Sequence, residues 1–197
     1  MRGRIVSALG LLTSLLIPAP LDAVAQSLQF AREEVSFAVF DSSCNVTADY
    51  TFRNISDLSI RQTLFYPLPV HQSQPFPDSL TVVDAATGAA VPYAASANGI
   101  SFAITIAPRV ERRYGVRFTQ RTPLRSLEYI LTTTRAWARP LDYAKFSVTM
   151  SSVSVLASST FRPDRQTVGN GKRVYVIEKR QFMPDCDLVI RWERKSP

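Results

Sequence analysis

The chain has 197 residues, enough for one domain with a sizeable core, and 46% of them are hydrophobic. Its formal net charge of +7 favours acidic partners or anionic surfaces. The single histidine, His71, excludes zinc sites that are built on several histidines.

The N-terminus has the features of a secretory signal peptide. Two arginines precede the apolar run Ile5–Ile17, and Ala23-Val24-Ala25 matches the small-x-small pattern that signal peptidase cuts. The run is shorter than the roughly 20 apolar residues that a membrane span needs, and an uncleaved anchor is the alternative. We therefore expect a signal peptide over 1–25, one mature domain over 26–197 without a transmembrane span, and export to the periplasm or the medium. Because an exported chain rarely meets nucleic acid, we expect no nucleic-acid partner.

Alternation of apolar and polar residues is the main pattern of the mature chain. The clearest example is Cys44–Arg53, which reads as a half-buried strand. Val35–Val39 and Leu58–Leu68 flank it, so we expect these three strands to pair as a meander. Ser151 and Ser152 separate two strands of opposite phase and indicate a bulge or a bend between sheets. About ten to twelve short strands, with no sustained helical period, predict an all-β fold, namely an antiparallel β-sandwich, with a closed barrel as the alternative.

The chain has two cysteines, Cys44 and Cys186, each close to a predicted strand. Cysteines of exported proteins are usually paired, because the compartment is oxidising. We therefore predict a disulfide bond between Cys44 and Cys186 that ties the early and late parts of the sandwich. Two buried thiols are the alternative.

The sequence lacks a recognisable catalytic set. His71 lies in a proline-flanked loop, and there is no P-loop, nucleophile elbow or glycine-rich dinucleotide turn. The pairs Glu33 with Glu34 and Asp185 with Asp187 lie at strand edges, where solvated charge is normal. We expect no catalytic residue, no metal site and no cofactor.

Arginines crowd the segment that contains Tyr114, Val116 and Phe118. Arg113 and Arg117 occupy the opposite phase of that strand, so they predict a basic outer face. Such a face is a candidate site for an acidic partner, an anionic glycan or a lipid head group. Ordinary protection of an exposed strand by charge is the alternative.

A second candidate site lies in the connection Thr132–Phe146. Its candidate binding residues are Arg135, Trp137, Arg139 and Tyr143. Arginine and tryptophan are enriched at binding hot spots, and loops often present them. Trp137 is equally suited to closing one end of the sandwich.

Two segments resemble a known family. Tyr50–Val70, YTFRNISDLSIRQTLFYPLPV, combines an aromatic strand, an Asn-Ser turn and a second strand ending in Tyr-Pro-Leu-Pro, and Asp84–Tyr93, DAATGAAVPY, reads as a hairpin. Both resemble the opening of VIT-like exported bacterial β-sandwich domains of unknown function. The resemblance covers about a quarter of the mature chain and implies a sandwich, and it carries over no catalytic residue.

These features predict an exported, non-catalytic β-sandwich module for protein interaction or cell-envelope association, with a protein partner in the envelope. A binding module for an anionic glycan or a small ligand is the alternative. An exported hydrolase is the third hypothesis.

Overall fold

The computed structural model describes residues 27–195, which form thirteen β-strands and one short 3₁₀ helix. The first seven strands are β1 Leu28–Val39, β2 Ser43–Asn54, β3 Ile60–Pro67, β4 Ser79–Asp84, β5 Tyr93–Ser96, β6 Gly99–Ile106 and β7 Glu111–Arg121. The next two elements are β8 Ser126–Tyr129 and the 3₁₀ helix Thr132–Trp137. The last five strands are β9 Leu141–Ser151, β10 Ser154–Ser159, β11 Arg165–Gly169, β12 Lys172–Phe182 and β13 Leu188–Arg194. The predicted signal peptide, residues 1–25, lies outside the described residues. Within 27–195, no helix has the length and apolar character to cross a membrane.

The strands form three sheets, so the predicted all-β class is confirmed. A seven-stranded sheet has the order β11-β12-β9-β1-β2-β7-β4, and two three-stranded sheets have the orders β10-β13-β8 and β3-β6-β5. The prediction that all ladders are antiparallel is wrong at one of them, because β1 and β9 run parallel from the pair Arg32 and Tyr143 onward. Parallel neighbours need a long crossover connection, and about a hundred residues separate these two strands.

The two small sheets cover the same face of the large sheet and share one apolar core with it. Tyr66 of β3 packs on Tyr50 of β2, with ring centroids 5.8 Å apart. Tyr129 of β8 packs on Phe37 of β1, with ring centroids 5.4 Å apart. The fold is therefore sandwich-like, with one continuous layer and one layer that is divided between two sheets.

The predicted meander is correct for two strands and wrong for the third. β1 and β2 pair directly, but β3 pairs with β6 in a separate sheet. The side chain of Asn54 helps to fix this change of sheet, because its Nδ2 donates to the backbone oxygens of Leu58 at 2.7 Å and Ile106 at 3.1 Å. The bend predicted at Ser151 and Ser152 is confirmed, since β9 ends there in the large sheet and β10 begins in a small one.

The predicted disulfide bond is wrong: Cys44 and Cys186 are both free thiols. Cys44 lies near the β1–β2 turn, where Trp192 Nε1 donates to the oxygen of Phe40 at 3.1 Å. Cys186 precedes Leu188, at the opposite end of β13. The five strand residues from Leu188 to Trp192 span about 13 Å, which is too far for a disulfide bond to bridge.

Candidate functional site: a cavity between the two small sheets

A cavity of about 670 Å³ lies between the layers, and we call it the seam cavity. The large sheet supplies its floor, Leu28, Phe30, Glu33, Tyr50 and Phe52. One wall consists of residues 62–67 in β3 together with Phe102 of β6. The other wall consists of Tyr129, Ile130, Thr133, Thr134, Ala136 and Trp137.

The seam cavity exists because the second layer is interrupted between β3 and β8. Each of these strands is hydrogen-bonded to one neighbouring strand, β6 and β13 respectively, so their other edges border the gap. Gln74 closes one end of the gap, since its side chain donates to the oxygen of Glu128 at 2.8 Å and accepts from the nitrogen of Glu128 at 2.9 Å. The exposed lining residues Gln62, Thr63 and Thr133 mark the mouth.

A β-bulge in β1 directs Glu33 into the seam cavity. Phe30 pairs with Phe52 and Arg32 pairs with Thr51, so Ala31 is an extra residue in this strand. An extra residue reverses the alternation of side chains beyond it. Phe30 and Glu33 therefore both face inward, although they are three positions apart.

Glu33 belongs to a hydrogen-bonded chain of side chains. Tyr129 Oη donates to Glu33 Oε1 at 2.9 Å, and the hydroxyls of Tyr50 and Tyr129 are 2.5 Å apart. Because Tyr129 uses its proton on Glu33, Tyr50 is the donor to Tyr129. Burial raises the pKa of the tyrosine hydroxyls of Tyr50, Tyr66 and Tyr129, so all three stay neutral at physiological pH.

The carboxyl group of Glu33 is only partly satisfied by this chain. Glu33 is 3% exposed, and its Oε2 has no hydrogen-bond partner among residues 27–195. Burial raises the pKa of Glu33 from 4.5 to about 7, and the hydrogen bond from Tyr129 offsets part of that effect. Of the described residues that line the seam cavity, Glu33 alone is an acid or a base other than tyrosine.

The 3₁₀ helix holds Trp137 at the cavity wall. Asp187 Oδ1 accepts the backbone N–H groups of Leu131 at 2.8 Å and Thr132 at 2.9 Å, which fixes the start of the helix. The helix ends at Trp137, and the next residue, Ala138, has a left-handed backbone with φ 53°. The Trp137 ring centroid is 5.8 Å from that of Phe30, so the Trp137 ring continues the aromatic floor.

The other residues predicted for the Trp137 connection do not line the seam cavity. Arg135 Nε donates to the oxygen of Pro184 at 2.9 Å, and Arg139 Nη2 donates to Asp142 Oδ1 at 3.2 Å. Tyr143 faces outward from β9, where the guanidinium carbon of Arg180 lies 5.7 Å from its ring centroid.

Arg113 and Arg117 are exposed on the outer face of β7, as the alternation predicts. Arg117 Nη2 lies 3.8 Å from Asp49 Oδ1. These arginines and Trp137 are on opposite faces of the seven-stranded sheet. The structure therefore does not bring the two predicted sites together.

Glu33 lines the cavity although the sequence does not predict it as a site residue. The sequence predicts solvated charge at both Glu33 and Glu34, but only Glu34 is exposed. The two-residue period of the strand does indicate that Glu33 is buried. Glu33 lies on the same side of β1 as Val35, Phe37 and Val39, which are buried.

The sequence also predicts that Asp185 and Asp187 form a solvated pair. Asp185 is exposed, whereas Asp187 binds the start of the 3₁₀ helix. Within the described part of the chain, no three His, Cys, Asp or Glu side chains are grouped so as to hold a metal ion.

Several solved structures are similar to this fold. A candidate nutrient-binding protein from Legionella pneumophila has a TM-score of 0.69 and 13% identity, over 84% of this chain and 67% of that protein. An M1 zinc metallopeptidase from Deinococcus radiodurans has a TM-score of 0.50 and 14% identity, and the match spans 84% of this chain but only 42% of the peptidase. Because the sequence identities are this low, the comparison shows a similar fold and does not transfer a function. No protein-family model and no curated protein matches the sequence.

Proposed function

We propose that this protein is a non-catalytic binding module that holds a small, largely apolar organic molecule in the seam cavity. The observation that carries the proposal is a cavity of about 670 Å³ that opens between two small sheets and contains a single carboxyl group. Ligand sites typically have volumes of about 300 to 1,000 Å³, with apolar linings and a few polar groups that orient the ligand.

The lining favours a ligand with a flat or apolar body. Eight of the lining side chains are aromatic. Phe30, Phe52 and Trp137 form a continuous surface, since the Trp137 ring centroid is 5.5 Å from that of Phe52 and the Phe30 and Phe52 centroids are 5.2 Å apart. Rings arranged in this way bury a large apolar area at a small cost in side-chain entropy.

The likeness to a candidate nutrient-binding protein agrees with a binding role, at the level of the fold alone. The cavity does not favour an anionic ligand, because its charged lining group is a carboxyl group. An anionic glycan or an acidic protein would instead meet Arg113 and Arg117, on the outer face of the large sheet. That second kind of partner stays a prediction.

The proposal is tested with two neutral probes, indole and phenethyl alcohol, by ¹H–¹⁵N NMR of the full chain. Both probes are expected to shift the indole N–H signal of Trp137 in a saturable way. Thr133→Trp places a large side chain at the cavity mouth and is expected to abolish these shifts. Thr167→Trp is the matched control, because Thr167 is exposed on β11, away from the seam cavity.

Two outcomes contradict the proposal. One is that neither probe shifts the Trp137 signal at millimolar concentration. The other is that Thr133→Trp and Thr167→Trp bind the probes equally well, which would place binding outside the seam cavity.

A further inference from the structure

The polar end of the seam cavity selects for a particular kind of ligand group. The hydroxyl protons of Tyr50 and Tyr129 are already used in hydrogen bonds within the protein. Tyr50 donates to Tyr129, and Tyr129 donates to Glu33 Oε1. The second carboxyl oxygen, Glu33 Oε2, is buried and has no hydrogen-bond partner among the described residues. When Glu33 is ionised, this oxygen accepts hydrogen bonds and does not donate them, so the group that a ligand presents to it must carry an N–H or O–H bond.

The charge of an ionised Glu33 has no compensating cation in the seam cavity. No Lys, Arg or His occurs among the described lining residues, and a buried carboxylate without a counter-charge is costly. A ligand that brings a positive charge removes this cost. A neutral hydroxyl donor satisfies the oxygen but leaves the charge uncompensated.

The rings around Glu33 also favour a cation. Tyr50 pairs with Glu33 across the β1–β2 ladder, and the ring centroids of Tyr50 and Tyr66 are 5.8 Å apart. The faces of aromatic rings attract ammonium groups, most strongly where water is excluded. The Phe30 ring lies 5.8 Å from that of Tyr50 and 5.8 Å from that of Trp137, so it links the polar end to the apolar wall.

We propose that the ligand of the seam cavity is a protonated amine with an apolar body, whose ammonium group donates to Glu33 Oε2 while its body packs on Phe30, Phe52 and Trp137. This inference rests on the proposed binding function and specifies the chemical class of the ligand. An ammonium group that carries at least one N–H bond fits the site better than a quaternary one, because Oε2 requires a hydrogen-bond donor.

Binding of such an amine is coupled to ionisation of Glu33. The titratable groups that face Glu33 are Tyr50 from β2, Tyr66 from β3 and Tyr129 from β8, and β9 places Ala144 beside it. The tyrosines stay neutral, because burial raises their pKa. Glu33 is therefore the lining group that titrates near neutral pH, with a pKa of about 7. Since the amine binds the ionised form, its affinity is expected to be roughly tenfold lower at about pH 6 than at about pH 8.

The test is isothermal titration calorimetry of the full chain with phenethylamine and with its neutral isostere phenethyl alcohol. The amine is expected to bind more tightly at about pH 8, to lose affinity roughly tenfold at about pH 6, and to release close to one proton at the lower pH. Proton release is measured from the heat of binding in buffers of different ionisation enthalpy. The alcohol is expected to show neither the loss of affinity nor the proton release.

Two variants assign this effect to one residue. Glu33→Gln keeps the size of the side chain and removes its charge, so phenethylamine is expected to bind roughly tenfold or more weakly at about pH 8 without pH dependence. Glu34→Gln is the matched control, because Glu34 is exposed on the outer face of the same strand, and it is expected to bind like the unmodified protein.

The outcomes separate the two proposals. Equal, pH-independent binding of the amine and the alcohol, both blocked by Thr133→Trp, would overturn the amine assignment and leave the binding function intact. If Glu33→Gln binds phenethylamine as the unmodified protein does, the amine assignment is also wrong. Failure of both probes to bind would overturn the binding function and the amine assignment together.

Discussion

Phe30 and Glu33 face the same side of β1 although they are three positions apart. The extra residue between them, Ala31, reverses the alternation of the strand. The bulge thereby places a carboxyl group beside a cluster of aromatic rings. Glu33 pairs with Tyr50 in the ladder, and it is held by one hydrogen bond from Tyr129. The predictions below for the stability of the protein and for ligand binding follow from this position of Glu33.

The first prediction concerns the pH dependence of stability. The pKa of Glu33 is about 7 in the folded protein and 4.5 for an unperturbed group, so the folded state binds more protons between these values. The free energy of unfolding is therefore expected to fall as pH rises through this range, by up to about 3 kcal/mol, and the contribution of Glu33 is constant above it. Urea unfolding at about pH 5 and about pH 8 measures the change.

Glu33→Gln is expected to remove this loss and to be more stable than the unmodified protein at about pH 8. Asp41 and Asp57 do not interfere, because their ion pairs with arginine lower their pKa below 3.8, outside this range. The prediction is wrong if Glu33→Gln and the exposed control Glu34→Gln have the same pH profile as the unmodified protein.

The second prediction separates the two tyrosines of the hydrogen-bonded chain. Tyr129→Phe removes the only side-chain donor to Glu33 Oε1 among the described residues, so the pKa of Glu33 is expected to rise further. The pH range over which stability falls then extends upward. Tyr50→Phe is expected to have a smaller effect, because the Tyr50 hydroxyl bonds Tyr129 and not Glu33. Urea unfolding as a function of pH distinguishes these results, and equal shifts in both variants would contradict the chain as described.

The third prediction concerns the support of Trp137. Asp187→Ala leaves the N–H groups of Leu131 and Thr132 without their acceptor, so it is expected to destabilise the protein by about 1 to 3 kcal/mol. It is also expected to weaken phenethyl alcohol binding and to broaden the indole N–H signal of Trp137. Asp185→Ala is the control, since Asp185 is exposed. Unchanged stability and an unchanged Trp137 signal in Asp187→Ala would show that Asp187 does not position this wall.

The fourth prediction concerns the cysteines. In the folded protein, iodoacetamide is expected to modify Cys186 slowly and to leave Cys44 unmodified, because Cys44 is buried and burial raises the pKa of both thiols. After unfolding without reductant, both thiols are expected to react. Mass spectrometry counts the modified residues, and a protein that takes up no label after unfolding would contradict the two free thiols.

Local patterns allowed much of the strand content to be predicted from the sequence. The alternation in Cys44–Arg53 corresponds to β2, and the change of phase at Ser151 corresponds to the bend between two sheets. Pairing partners were less predictable, because neither β3 nor β9 carries a local signal for its distant neighbour. The parallel pairing of β1 with β9 is therefore a result of tertiary packing.

The seam cavity is not predicted from the sequence, because a glutamate in a strand is normally solvated and Glu33 is buried. The side chains of Glu33 and Val35 lie in the same phase of β1 and face inward. The bulge at Ala31 explains why the side chain of Phe30 faces inward as well. Trp137 was identified as a candidate binding residue, and it does line the seam cavity. Export, the VIT-like resemblance and a partner for the outer arginines stay predictions.

The most direct test of this account is a ¹³C NMR titration of the Glu33 carboxyl group with and without phenethylamine. The Glu33 signal is assigned by its loss in Glu33→Gln. We predict a midpoint at about pH 7 in the free protein and a decrease of roughly two units or more with saturating amine. A midpoint near the ordinary value of 4.5 that the amine does not change would contradict a buried carboxyl group that binds an amine.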